Sequence, residues 1–530
     1  MTITATAPVV PRVQGFPPHQ PQPWGPSQPP AWAPRPPREV APSVVVGVVL
    51  AAGLACAVFV PLDRPGLGWL LAGLAIAAGL AELIRRGLVR PPSGGGPADR
   101  VFRIGAAVAA VALLGVGAVR AAEWLFVLCV FGALLLAAVA AACGRTWIEL
   151  AVAPLAAGIA IFPGAGWVSR GIAAMRVTRA GRSAGVGRVI AVAAATGLIL
   201  LVFGGLLASA DTVFAGVLDR MVPNVTVGSV FRGAFLLVAG VCVAAGLAWL
   251  TARPYRLDTL ELPGRRRVSA LDWGLPVGAL NVLFAIFVWV QLGVLFGWHD
   301  YVLGPDGPDY AEYARSGFGQ LILVTLLTFA VIAIVAHVAC RTSERDRLLL
   351  RIQVGVLSVL SMVIVASAVN RLWLYQDAYG LTRLRLLGAV AVVWLGALFL
   401  LVIAAGIRLR GGWLARAVVG SAAATLLALA AANPDALIAR WNVDRALQGK
   451  EVAFGRPVDR LAYLATLSAD AVQAIERLPE PRRSCLLASL AADLDRGDPW
   501  YAVNLGRERA RAALARYDLR SVDCGVPSGG

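Results

Sequence analysis

Apolar runs near the roughly 20 residues that cross a bilayer recur along most of this chain, and the segments between them alternate between Arg-rich and Arg-poor. Such a chain must satisfy its backbone inside hydrocarbon, which only helices and closed barrels do. The expected fold is all-α, a polytopic helical membrane bundle of about 11 to 12 spans. A mean hydropathy of +0.73 with 15% charged residues lies outside the range of soluble domains.

The net charge of +17 has one location. Most basic residues fall in Met1–Ala41, Arg85–Arg103, Arg145, Arg170–Arg188, Arg253–Asp272, Arg341–Arg351 and Arg408–Arg416. The positive-inside rule puts these segments in the cytosol and the Arg-poor loops outside. This distribution explains the basic balance without nucleic acid, because the arginines sit in short inter-helix loops and not on one face of a domain. Expected partners are the lipid bilayer and a signalling or envelope protein.

Residues 1–42 hold thirteen prolines and read as a disordered cytosolic tail biased to polyproline II, with PxxP spacings able to dock an aromatic groove. No cleavable signal peptide is visible. Spans are expected near 43–60, 66–84, 103–119, 124–142, 189–208, 231–250, 273–296, 319–340, 352–371, 386–407 and 413–432. The stretch 147–168 contains Pro154 and Pro163-Gly164, and a full crossing there would invert every later basic loop. It is therefore expected to be broken or re-entrant, a half-span or interfacial helix. The five arginines between Arg170 and Arg188 fit a helix lying on an anionic leaflet.

Eleven crossings from an inner N-terminus place 433–520 outside as a small helical domain, with a flexible 521–530. Asn433-Pro434 reads as a cap followed by proline at the first helical position, Ser468 and Pro481 as further helix starts, and Asp498-Pro499 as the start of a run to Tyr517. Contacts are expected among Leu461, Tyr463, Leu464, Leu467, Val472, Ile475, Leu486, Leu490, Trp500 and Leu505. In an oxidising exterior Cys485 and Cys524 could bridge, worth about 3 to 4 kcal/mol by chain entropy; two free thiols is the competing reading.

Intramembrane ionisable residues, the usual mark of transport or catalysis, are few. Glu149, Asn281 and Gln291 are the candidates for lining a cavity, although such polar groups more often bond between helices. The three histidines fall in three unrelated segments, so no metal site or histidine-based triad assembles, and no cofactor is expected. The outer loops are richer. Tyr313 and Arg315 in one, with Arg371, Tyr375, Tyr379, Arg383 and Arg385 in the next, form a candidate outward ligand site, or a docking platform where arginines meet a carboxylate or phosphate. Arg371, Tyr375 and Tyr379, four apart, share a helix face. An aromatic belt with paired charges is the plainer reading.

Four ordered motifs carry a resemblance: Tyr313-Ala314-Arg315-Ser316-Gly317-Phe318, Tyr375 to Arg385, Asn433 to Asn442, and Tyr463 to Val472. In these the chain resembles the bacterial integral-membrane family of domain of unknown function 4173, related to 4153, over roughly Ala208 to Ala515. The resemblance implies a multi-pass cell-membrane protein with a helical C-terminal segment and brings no catalytic residue. Two function classes follow: a non-enzymatic envelope sensor or scaffold, and alternatively a transporter for a lipid-linked or amphipathic substrate.

Overall fold

The structure is a computed structural model that describes residues 40–90, 96–142, 144, 146–180, 227–253, 268–296, 318–340, 342–408, 411–449, 452–453, 456–457, 460–495 and 497–519, with isolated positions 196, 203 and 207. The proline-rich segment 1–39, the expected span at 189–208 save those three positions, and the loop carrying Tyr313 and Arg315 lie outside this description.

Among the described residues eleven long helices follow one another: α1 (Ser43–Phe59), α2 (Leu67–Arg85), α3 (Pro97–Val119), α4 (Glu123–Ala142), α5 (Trp147–Ala180), α6 (Val227–Ala252), α7 (Ala270–Phe296), α8 (Phe318–Val338), α9 (Glu344–Tyr379), α10 (Arg383–Arg408) and α11 (Leu414–Ala432). Ten are long and apolar enough to cross a membrane, and α1 is a shorter apolar helix. The all-α bundle read from the apolar runs is the observed fold. Its helices pack in two groups: α1, α2, α4, α5 and α6 around Val45, Trp167, Trp249 and Leu250, with α3 joined to them through α4 at Leu113 and Leu125, and α7 to α10 around Leu357, Val392 and Phe399. Helix α11 lies against α10 on one side and α3 and α4 on the other.

The C-terminal tail is built of α12 (Pro434–Leu447), a short ladder pairing β1 (Val452–Ala453) with β2 (Arg456–Pro457), α13 (Arg460–Leu464), α14 (Val472–Ile475), α15 (Arg482–Leu494) and α16 (Leu505–Leu514). Ile438, Leu464, Val472, Ile475, Leu487 and Leu490 form its core, while the expected core residues Trp500 and Leu505 are exposed. Tyr463 and Leu486 pack at the core's edge, and the side chain of Leu461 falls outside the description. Asn504, not Asp498, caps the last helix by accepting from Arg507 N at 3.0 Å.

The tail defines one end of the bundle. Phe59 at the end of α1 meets the Trp500 ring edge-on at 5.6 Å, and Leu67 N–H at the start of α2 donates to Val503 O at 3.1 Å. At the far end, Val268 N–H donates to Val338 O, and Arg416 pairs with Asp99 at 2.7 Å.

Two expectations need correction. Trp147–Ala180 is one uninterrupted helix in spite of Pro154 and Pro163, not a broken segment. Each proline removes a backbone bond, but packing outweighs the loss: Ala153, Ala156, Ala160 and Gly164 are buried, and a methyl group on Gly164 would stand 2.7 Å from the Ala245 carbonyl oxygen. The second concerns 371–379, read as a connection, which is the last turns of α9. That helix stops at Gly380, whose φ of 79° suits a residue without Cβ.

Candidate functional site

The site grows from the shortest connections. After α9, Gly380 ends the helix and Leu381 is held by one side chain: Asn442 of α12 accepts from Leu381 N at 3.0 Å and donates to Leu381 O at 2.8 Å. That fixes the start of α10, where Arg383 N–H donates to Tyr463 Oη at 3.0 Å. The Arg383 side chain then turns into the tail. Its Nη2 donates to Asp435 Oδ2 at 2.7 Å and its Nε to Oδ1 at 3.1 Å, a bidentate pair.

Asp435 is 0% exposed and accepts two further bonds, from Trp124 Nε1 at 2.9 Å and from Ser468 N at 2.9 Å. One carboxylate thus joins the start of α4, the start of α10 and two parts of the tail. Burial opposes its ionised form, yet the Arg383 guanidinium, with Trp124 and Ser468, holds the carboxyl below its ordinary value. Asn433, just before it, takes a left-handed backbone (φ 55°) that swings α11 into α12.

Three more junctions lie at the same end. Asp470 accepts from Ala121 N at 2.8 Å, and burial lifts its carboxyl above its ordinary value, outweighing the Ala121 amide and the charge of Arg120. Asn504 donates to Gly117 O and Arg120 O, both at 2.7 Å. Arg120 itself donates to Ala430 O and Ala431 O at 2.7 and 2.8 Å, a cation on the carbonyl end of α11. Asp498 accepts from Arg507 and Arg511, both at 2.9 Å, and lies 3.8 Å from Arg64 in the α1–α2 turn. Burial works against that carboxylate, but the two arginines hold it below its ordinary value.

The outer-loop residues divide into three. Arg383 faces the tail. Arg385 lies over Tyr375 and Tyr379, 4.5 and 6.0 Å from their centroids, and donates to Tyr379 O and Gly380 O. Arg371 turns instead to α7, donating to Gln291 Oε1 at 2.8 Å beside the Ser367 hydroxyl. Tyr313 and Arg315 lie outside the described residues.

The cavity candidates are engaged in local or interhelical bonds. Gln291 serves Arg371, and Asn281 donates to Gln353 O and Oε1 between α7 and α9. Glu149 accepts from Thr146 N at 3.0 Å while Thr146 Oγ1 accepts from Glu149 N, a reciprocal cap on α5. Cys485 on α15 is disulfide-bonded, and Cys524 lies outside the described residues. No group of three or more His, Cys, Asp or Glu side chains able to hold a metal occurs among the described residues.

Sequence reasoning missed Asp435, Trp124, Asp470, Asn442 and Asn504. Asp435 and Asn442 lie inside a motif that carried the resemblance, yet Asp435 in a first helical turn reads as a dipole-complementing acid. Its partner Arg383 lies 52 positions away.

The profile of the family described as a domain of unknown function (DUF4153) matches residues 108–478. The chain belongs to this family, which the resemblance gave as the relative of 4173. The match runs from within α3 to the core of the tail and includes the Arg383–Asp435 pair. No curated protein and no solved structure matches the chain.

Proposed function

We propose that this multi-pass membrane protein is a non-enzymatic envelope sensor or scaffold, with the tail outside the cell and the proline-rich N-terminal segment in the cytosol. The observation that carries the reading is Asp435, buried and saturated between the tail and the starts of α4 and α10. A tethered binding domain would keep its own polar surface. This tail is built onto helix ends from both groups, so a change in how the groups sit reaches it, and a partner that binds one arrangement of it better biases the helices. The far end carries the basic loops, which supports a cytosolic far end and an external tail. An exterior location also suits a Cys485–Cys524 pairing.

Orientation is tested by a cysteine introduced near Gly497 and a membrane-impermeant thiol reagent on intact cells. Labelling before lysis is expected; labelling only afterwards places the tail inside and defeats the reading. The scaffold role is tested by photo-crosslinking from exposed tail positions such as Leu437 and Trp500. A discrete adduct to another envelope protein is expected, and its persistence after Asp435→Asn, or no adduct from any tail position, overturns the role.

A further inference from the structure

From Leu150 to Gly171, helix α5 packs against the far-end segments of its neighbours. Near its start, Leu150 and Ala153 cluster with Val139, Ala415 and Phe102, the far ends of α4, α11 and α3. Past its middle, a methyl group on Gly171 would stand 2.8 Å from the carbonyl oxygen of Ala41, which leads into the far end of α1. Between them Trp167 meets Trp249 edge-on at 5.8 Å, near the far end of α6. Leu150 and Gly171 are about 31 Å apart along a helix axis, as long as a bilayer's hydrocarbon is thick, yet both touch the same end. The helix runs across the bundle and not through it.

Its outer edge is ordered. At 3.6 residues per turn, Ile148, Leu155, Ile159 and Phe162 fall within about 60° of arc, opposite the buried Ala153, Ala160, Gly164 and Trp167. All four are exposed, Phe162 at 80%. Farther along, exposed Arg170 and Arg176 flank the same edge. An apolar edge continued by arginines, on the basic end of a membrane bundle, matches acyl chains next to anionic headgroups.

We infer that α5 is an in-plane helix seated in the far-end leaflet, and that Arg170 and Arg176 bind the phosphodiester of anionic phospholipids. This goes beyond the proposed function and does not depend on which side the tail occupies.

Nitroxides are placed singly at Ile148→Cys, Leu155→Cys and Phe162→Cys, with other cysteines replaced, in full-length protein in phosphatidylcholine nanodiscs with or without phosphatidylglycerol. Depth is read from accessibility to oxygen and a polar nickel reagent. The three positions are expected at one shallow depth, whereas a crossing helix would separate Ile148 and Phe162 by about 21 Å and overturn the inference. Native mass spectrometry then compares phosphatidylglycerol retained by the Arg170→Gln/Arg176→Gln protein and its Lys counterpart. A loss of about fivefold per arginine is expected for Gln, with retention in Lys. Equal retention by all three proteins overturns the lipid assignment.

Discussion

The two ends of the helical bundle handle charge differently, although each has a pair that ties separate helices, Arg383–Asp435 at the tail end and Arg416–Asp99 at the far end. At the tail end, Asp435 and Arg507 are buried, the Asp498 side chain is 3% exposed, and all three are bonded to partners distant in sequence or on other elements, so each charge fixes a position in the fold. At the far end, Arg85 and Arg86 share Glu82 within one helix at 74% and 51% exposure, and Arg170 and Arg176 face outward. A buried pair is costly to break because the survivor stays desolvated, while an exposed pair is screened by solvent. The tail end therefore rests more on buried ion pairs, and the far end leaves more of its charge to solvent.

The largest break in this contrast is expected from Asp435→Ala. It strips Arg383, Trp124 and Ser468 N of their acceptor, and removing one member of a buried pair costs about 3 to 5 kcal/mol. In detergent, protease should release the tail far faster than from wild type while the membrane helices stay intact. An unchanged digestion pattern would show that the pair does not hold the tail.

Asn504→Ala is next. It frees two backbone carbonyls and uncaps α16, for about 2 to 3 kcal/mol, and should lower the denaturation midpoint of the tail alone. A matched loss at the far end is smaller: Ser343→Ala removes the capping box of α9, where Ser343 Oγ accepts from Asp346 N at 3.1 Å, for about 1 kcal/mol. Hydrogen exchange should rise in the first turn of α9 and stay unchanged in the tail. Exchange rising at both ends would merge the two regions into one cooperative unit.

The smallest effect is a matter of sign. Asp435 and Asp498 have lowered folded values, so their contribution is present above the ordinary carboxylate value and is lost as pH falls through the folded one. Asp470 is raised, so the folded tail binds a proton more readily than the unfolded chain. Its term therefore favours the docked tail on the acid side and weakens as pH rises through its folded value. Asp470→Asn should flatten that part of the stability curve and leave the acid loss from Asp435 and Asp498. An unchanged slope would show that Asp470 does not titrate at the junction.

Hydrophobic run length alone located the described long helices, because each must close its backbone bonds within itself in lipid, and Arg spacing alone separated the loops into two sets. The starts of α12 at Pro434 and of α15 after Pro481 were equally local, marked by proline, although neither has a side-chain cap. Tertiary structure decided the rest. Pro154 and Pro163 predict a break, and only the close approach of α6 at Gly164 makes a continuous helix the better packing. Arg371, Tyr375 and Arg383 look like one outer cluster, but Gln291 takes the first, Arg385 the second and Asp435 the third. Whether a carboxylate 52 positions from an arginine becomes its buried partner depends on the path of the intervening chain, which no local propensity encodes.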